Sequence, residues 1–166
     1  MNECYIGLGS NLGDRLSYLL RAVKLLSETN IKIEKISSVF ETAPQNFLQQ
    51  PKFLNCILQI STTLQPLELL NICQSIEAII GKNKTIAFGP RNIDIDILMF
   101  NDEKVNMPNL VIPHPRMTSR NFVLTPLYEI APNSIINGND IKNLLEKCSD
   151  QDVVKFCNNS VFYEVL

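Results

Sequence analysis

Two carboxylates spaced two residues apart carry the strongest chemical signal in this chain. In Gly89-Pro90-Arg91-Asn92-Ile93-Asp94-Ile95-Asp96, the aspartates alternate with Ile93, Ile95 and Ile97. Alternation at period two predicts a strand, with the isoleucines facing a core and both carboxylates on the opposite face. Their Cα atoms then lie roughly 6.5–7 Å apart. Carboxylates that close can hold divalent cations, and a pair of magnesium ions about 4 Å apart is a common way to handle a transferring phosphate. Arg91, just upstream, adds a fixed positive charge. An amphipathic strand with a solvated face would alternate in the same way. Asp is depleted in strands, however, and two side by side repel unless something cationic sits between them.

Such a strand needs partners. Cys4, Ile6 and Leu8 alternate with Tyr5 and Gly7 and predict a first strand over 3–9. Gly9-Ser10-Asn11-Leu12-Gly13-Asp14 follows as a tight loop, in which Asn11 or Asp14 suits a helix N-cap. It lacks the Walker lysine and the third glycine of a dinucleotide fingerprint, so it reads as a plain strand-to-helix turn. Leu16, Leu19, Leu20, Val23 and Leu26 predict a helix over 15–30. Further alternation predicts a second strand over 31–41 and a third over 53–63. The connection between them is long, and long loops in compact domains often carry function. Phe53 and Asn55 share one side of the third strand and pair a ring face with a side-chain amide. A flat heterocycle needs both, although a capping Asn beside a core Phe has the same sequence pattern.

Pro66 opens a second helix and Gly81 ends it, with Leu69, Cys73, Ile76 and Ile80 as its apolar stripe. Gln74 and Glu77 are three apart and share a polar face. The segment from Lys82 to Arg91 holds three cations, Lys82, Lys84 and Arg91. It reads as solvated surface, or as a loop that folds over polyphosphate. His114, the sole histidine, stands between Pro113 and Pro115 with Arg116 and Arg120 close behind. A helix over 122–130 stopped by Pro132, a short helix over 141–148 and a tail ending in an edge strand complete the chain.

A chain of 166 residues is long enough for one domain with a real core, and residues 1–166 read as a single unit. A net charge of −2 argues against a general nucleic-acid binder, which needs a basic patch. No run of 18 apolar residues predicts a transmembrane helix, and no secretory signal is visible at the N-terminus. Five scattered cysteines without metal-ligand spacing read as reduced, mostly buried residues of a cytoplasmic protein.

Taken together, four segments resemble the 6-hydroxymethyl-7,8-dihydropterin pyrophosphokinase family. They are Tyr5-Ile6-Gly7-Leu8-Gly9-Ser10-Asn11-Leu12-Gly13, Phe53-Leu54-Asn55, the stretch from Gly89 to Leu98, and Pro113-His114-Pro115-Arg116-Met117 with Arg120 and Phe122. The resemblance implies an α/β (α+β) fold, a ferredoxin-like α-β sandwich with a mostly antiparallel sheet. It implies a monomer in folate biosynthesis that moves the β,γ-pyrophosphoryl group of ATP to hydroxymethyldihydropterin, leaving AMP, with no nucleic-acid or membrane partner. Two magnesium ions would be held by Asp94 and Asp96, with Arg91 and Lys82 completing the catalytic set. Pterin would meet Thr42, Ala43, Gln45, Phe53, Asn55, Phe88, Asp94, Arg120 and Phe122. ATP would meet Gln74, Glu77, Lys82, Lys84, Arg91, Ile97, His114 and Arg120. Lys82 and Phe88 depart from the arginine and tryptophan often found in the family's lid loop. The alternatives are another magnesium-dependent nucleotidyl or phosphoryl transferase, which needs no Phe53/Asn55/Phe122 constellation, and a non-catalytic ferredoxin-like RNA-binding module.

Overall fold

The alternating residues Asn2–Ser10 form β1, and Asp14 caps the helix that follows by accepting the Ser17 N–H. The computed structural model describes residues 1–45, 48–81, 89–149 and 152–166. After β1 come α1 (Arg15–Ser27), β2 (Ile31–Ile36), β3 (Val39–Thr42), β4 (Phe53–Thr62), α2 (Pro66–Ile80) and β5 (Asp94–Phe100). A small hairpin, β6 (Val105–Met107) and β7 (Leu110–Ile112), leads through a 3-10 turn at Met117–Ser119 into α3 (Asn121–Ile130). The chain ends with the hairpin β8 (Ile135–Ile136) and β9 (Asn139–Asp140), α4 (Ile141–Lys147), β10 (Val153–Cys157) and a last 3-10 turn.

The main sheet runs β10-β3-β4-β1-β5, with β2 also paired to β4, and every pairing is antiparallel. From β1 to β5 the chain therefore traces a βαββαβ path, the ferredoxin-like topology, in which β2 and β3 together fill the place of one strand. The single strand expected over 31–41 is broken at Ser37–Ser38. Ser37 Oγ accepts the Ile57 N–H at 2.9 Å and donates to the Ser38 carbonyl at 2.8 Å, so a side chain does the bonding there and the backbone steps out of register. The apolar positions change parity, from Ile31 and Ile33 to Ile36 and back to Val39, which a single irregular strand would also show.

Helices cover the sheet on both faces. On one side, α1 and α2 bury Ile6, Leu8, Leu58, Ile60, Ile93, Ile95 and Ile97, so the isoleucines of the aspartate strand do face a core. On the other side, α3 packs Val123, Leu124 and Leu127 against Tyr5, Ile57, Leu98 and Met99. Pro126 lies inside α3, and Ala131 closes that helix with a bond to the Leu127 carbonyl, just before Pro132. All five cysteines are free thiols, three of them buried. Among the described residues no helix is long and apolar enough to cross a membrane.

Candidate active site

The strand register decides what the α3 side of the sheet exposes. Gly9 lies between Asn55 of β4 and Asp94 of β5, and Gly7 lies between Ile57 and Asp96. Opposed residues in a sheet share a face, so β1 contributes two side-chain-free positions between a ring-and-amide strand and a carboxylate strand. The result is a trough. A Cβ on Gly9 would stand 3.0 Å from Asn55 Oδ1 and 3.8 Å from the Phe53 ring, so only glycine leaves this floor open. The cleft above it holds about 760 Å³, its open mouth included.

Each wall has a separate origin. Phe53 begins β4, and Thr42, opposite it on β3, accepts the Asn55 Nδ2 proton at 2.8 Å through its hydroxyl. That bond fixes the amide and turns Asn55 Oδ1 toward the floor. Phe122 comes from the first turn of α3, and Thr42, Ala43 and Gln45 line the side nearest β3. Asp94, Asp96, Arg91, His114 and Arg120 line the rest. The cleft therefore has an aromatic half and a charged half.

The two halves meet at Arg91. Its guanidinium lies 5.1 Å from the Phe53 ring centre, and its Nε is 3.3 Å from Asp94 Oδ2. Arg120 in turn lies 5.4 Å over the Phe122 ring. Burial lowers the affinity of Arg120 for its proton, nearby Arg116 adds to this, and Asp96 opposes it. His114 is anchored by its N–H to the Leu98 carbonyl at 2.9 Å, behind a cis Ile112–Pro113 bond. Its Nδ1 accepts the Arg116 N–H at 3.2 Å, which leaves the proton of a neutral ring on Nε2. Burial pushes the imidazole below its ordinary range; Arg120 and then Arg116 push the same way, and Asp94 opposes them. A neutral ring with a fixed Nε2–H is a hydrogen-bond donor suited to an anionic oxygen.

The sequence expectations gather well in this cleft: Thr42, Ala43, Gln45, Phe53, Asn55, Arg91, Asp94, Asp96, His114, Arg120 and Phe122 all line it. Lys82, Lys84 and Phe88 lie outside the described residues. Gln74 is exposed on α2 and does not line the cleft. Ile97 turns its side chain into the α1/α2 core, 4% exposed, although β5 is the outer strand on that side of the sheet. Glu77, expected with Gln74 to meet ATP, does not line the cleft either. It is buried, and its carboxylate accepts the Ile95 N–H at 2.7 Å, between the two aspartates. Helical spacing places Glu77 beside Gln74 but cannot show that β5 packs against it. Burial pushes the neighbouring Cys73 thiol to about 12, and Glu77 and Asp96 add to the rise.

Sequence reasoning missed two ties that hold the site together. Asn92 Nδ2 donates to the Gly81 carbonyl at 2.9 Å, joining the end of α2 to the start of the aspartate strand. Asn11 is not a helix cap. It reaches across to residues 50, 51 and 91. Its only sequence signal is its place in the Gly9-Ser10-Asn11-Leu12 turn.

Among the described residues no group of three or more His, Cys, Asp or Glu is placed to hold a metal ion. Asp94 and Asp96 on one face still suit magnesium, which prefers one or two carboxylates and takes its other ligands from water and substrate phosphates. They do not suit a cation that needs a full protein cage.

A ferredoxin-like sheet with a flat-ring trough opening directly onto paired carboxylates and cations defines a class of two-substrate enzyme, one that brings an aromatic molecule to a polyanion. The comparisons narrow that class. The model of the family described as 7,8-dihydro-6-hydroxymethylpterin-pyrophosphokinase matches residues 5–132, and the chain belongs to that family. It is 47% identical over 130 residues to the 2-amino-4-hydroxy-6-hydroxymethyldihydropteridine pyrophosphokinase of Bacillus subtilis, covering 78% of each chain. It is 45% identical over 135 residues to the protein of the same name from Aquifex aeolicus, covering 81% of this chain and 84% of that one. Among solved structures, a Plasmodium falciparum HPPK-DHPS with pteroate superimposes with a TM-score of 0.71 at 20% identity. That match covers 88% of this chain and 42% of the other, so this chain spans less than half of that longer protein and shares its fold.

Proposed function

We propose that this protein transfers the β,γ-pyrophosphoryl group of ATP to the 6-hydroxymethyl group of 7,8-dihydropterin, releasing AMP. One observation carries the reading. A glycine-floored trough with Phe53, Phe122 and Asn55 on its walls opens without a break onto Asp94, Asp96, Arg91, Arg120 and His114. The pterin ring stacks between Phe53 and Phe122, and Asn55, whose amide is held by Thr42, reads its polar edge. Ala43 and Gln45 border the same edge. The hydroxymethyl group then points toward the aspartates.

Asp94 and Asp96 would hold magnesium, as two ions between them and the triphosphate oxygens. When bound, the metal offsets the charge of the triphosphate and raises the electrophilicity of its phosphorus. The hydroxymethyl oxygen attacks the β-phosphorus and gives up its proton to solvent water, the bond from that phosphorus to the oxygen bridging it to the α-phosphate breaks, and AMP leaves with that oxygen. Arg91 and Arg120 stabilise the charge on the moving group, and His114 donates its Nε2–H to a phosphate oxygen. Ile97 offers the nucleotide its main chain only, since its side chain is core. Lys82 and Lys84 add charge on the nucleotide side.

Incubation with ATP, magnesium and hydroxymethyldihydropterin tests this directly. AMP should appear in equal amount to the pterin pyrophosphate and only when the pterin is present. Pterin-independent AMP release, or transfer to a different acceptor, would instead indicate another nucleotidyl or phosphoryl transferase.

A further inference from the structure

Asn11 is 1% exposed and makes four hydrogen bonds to segments far from it in sequence. Its backbone N–H donates to the Arg91 carbonyl at 3.2 Å, and its Oδ1 accepts the Arg91 N–H at 3.0 Å. Its Nδ2 donates to the Pro51 carbonyl at 3.0 Å and to Gln50 Oε1 at 2.9 Å. The orientation of the amide is dictated by its partners, because a peptide N–H can only donate and a carbonyl can only accept.

Those partners lie on the two halves of the cleft. Pro51 and Gln50 end the connection that delivers Phe53, the aromatic wall. Arg91 is the cation that lies over that ring and pairs with Asp94. We infer that Asn11 is a positioning residue that fixes the Phe53 wall and Arg91 relative to each other. It touches neither the cleft floor nor, by this reading, either substrate. Aspartate cannot replace it, having the acceptor but no donors, a hydroxyl cannot span both arms, and glutamine carries the same amide one methylene too far from the main chain. A fully paired buried amide specifies one arrangement, and breaking one arm strands polar groups that have lost water. The inference rests on the functional reading above, since it is that reading that makes the wall and the cation parts of one site.

The variants N11D, N11A and Q50A in the full chain test it, through the affinity for hydroxymethyldihydropterin, the affinity for a non-hydrolysable ATP analogue with magnesium, kcat, and the melting temperature. N11D keeps the acceptor toward Arg91 and sets an oxygen against the Pro51 carbonyl. It should weaken pterin binding about tenfold or more and leave the nucleotide within about twofold. N11A loses all three side-chain bonds and keeps only the main-chain bond to the Arg91 carbonyl, so it should also lower kcat by loosening Arg91. Q50A removes one bond on the pterin arm and should give a smaller loss in the same direction. Pterin affinity and kcat within about twofold of wild type in folded N11D and N11A overturn the inference. So does a parallel fall in both affinities with the melting temperature, the mark of a residue needed only for folding. Should the Asn11 variants fail to fold, unchanged pterin affinity in Q50A overturns it instead. A wild-type chain that binds no pterin would overturn the functional reading itself, a result the variants cannot mimic.

Discussion

β1 and β5 each present two faces, and the faces have opposite jobs. Toward α1 and α2, Ile6, Leu8, Ile93, Ile95 and Ile97 are nearly fully buried in a continuous apolar layer. Toward α3, the same two strands offer Gly7, Gly9, Asp94 and Asp96, with no apolar side chain until Tyr5 and Leu98. One face stabilises by excluding water. The other forgoes that burial, keeping a hollow and two like charges side by side. The filled face therefore has to hold the empty one in shape, and neighbouring residues on one strand should fail in different ways.

The sharpest break of that contrast is Asp96→Asn against Ile95→Ala. Asp96→Asn should lower turnover by about 10²–10³-fold or more, since a ligand of the magnesium that offsets the phosphate charge is lost. Its melting temperature should stay the same or rise, because carboxylate repulsion is relieved. Ile95→Ala should cost about 2–5 kcal/mol of stability, measured by urea unfolding, and leave the affinities of the folded fraction unchanged. If Asp96→Asn stays active, or Ile95→Ala abolishes binding while still folded, the two faces are not separable. A smaller effect is expected at the rim: Phe122→Ala should weaken pterin binding about tenfold with the nucleotide affinity retained, as titration calorimetry would show. Equal loss of both ligands would place Phe122 in the scaffold.

The smallest effect concerns pH. Because His114 is held neutral, the unfolded chain takes up a proton near the ordinary value of 6.5, before the folded chain does. Stability from this group is thus present above that value and lost as pH falls from it toward the lower folded value. Melting temperatures of wild type and His114→Gln should converge as pH drops below about 6.5. A gap that stays constant with pH would show that the imidazole is not held neutral.

Much of this was legible in the sequence, because period-two alternation, helix punctuation and a glycine C-cap are local signals. Gly81 does adopt a left-handed backbone, φ 94°, at the end of α2, and Asp94 and Asp96 do share a face. The family motifs contain most of the cleft lining, from Phe53 and Asn55 to Arg91, Asp94, Asp96, His114, Arg120 and Phe122. Register across strands was not legible. Nothing local says that Gly9 stands opposite both Asn55 and Asp94, and so that glycines in β1 make a trough. Long-range polar pairing was hidden for the same reason. Asn11 reads as a cap, and nothing local ties Glu77 to β5, until the segments they bind, 80 and 18 residues away, are in place.

The bond from Asn92 to the Gly81 carbonyl has a consequence for how sequences of this kind can diverge. It pins together the two ends of the segment between them, and Asn11 pins Arg91 just inside one end. Changes of length or composition between the pins are thereby insulated from the aspartate strand, whose register is set by β1 and by Glu77. The two carboxylates should therefore keep their places when residues between the pins are substituted.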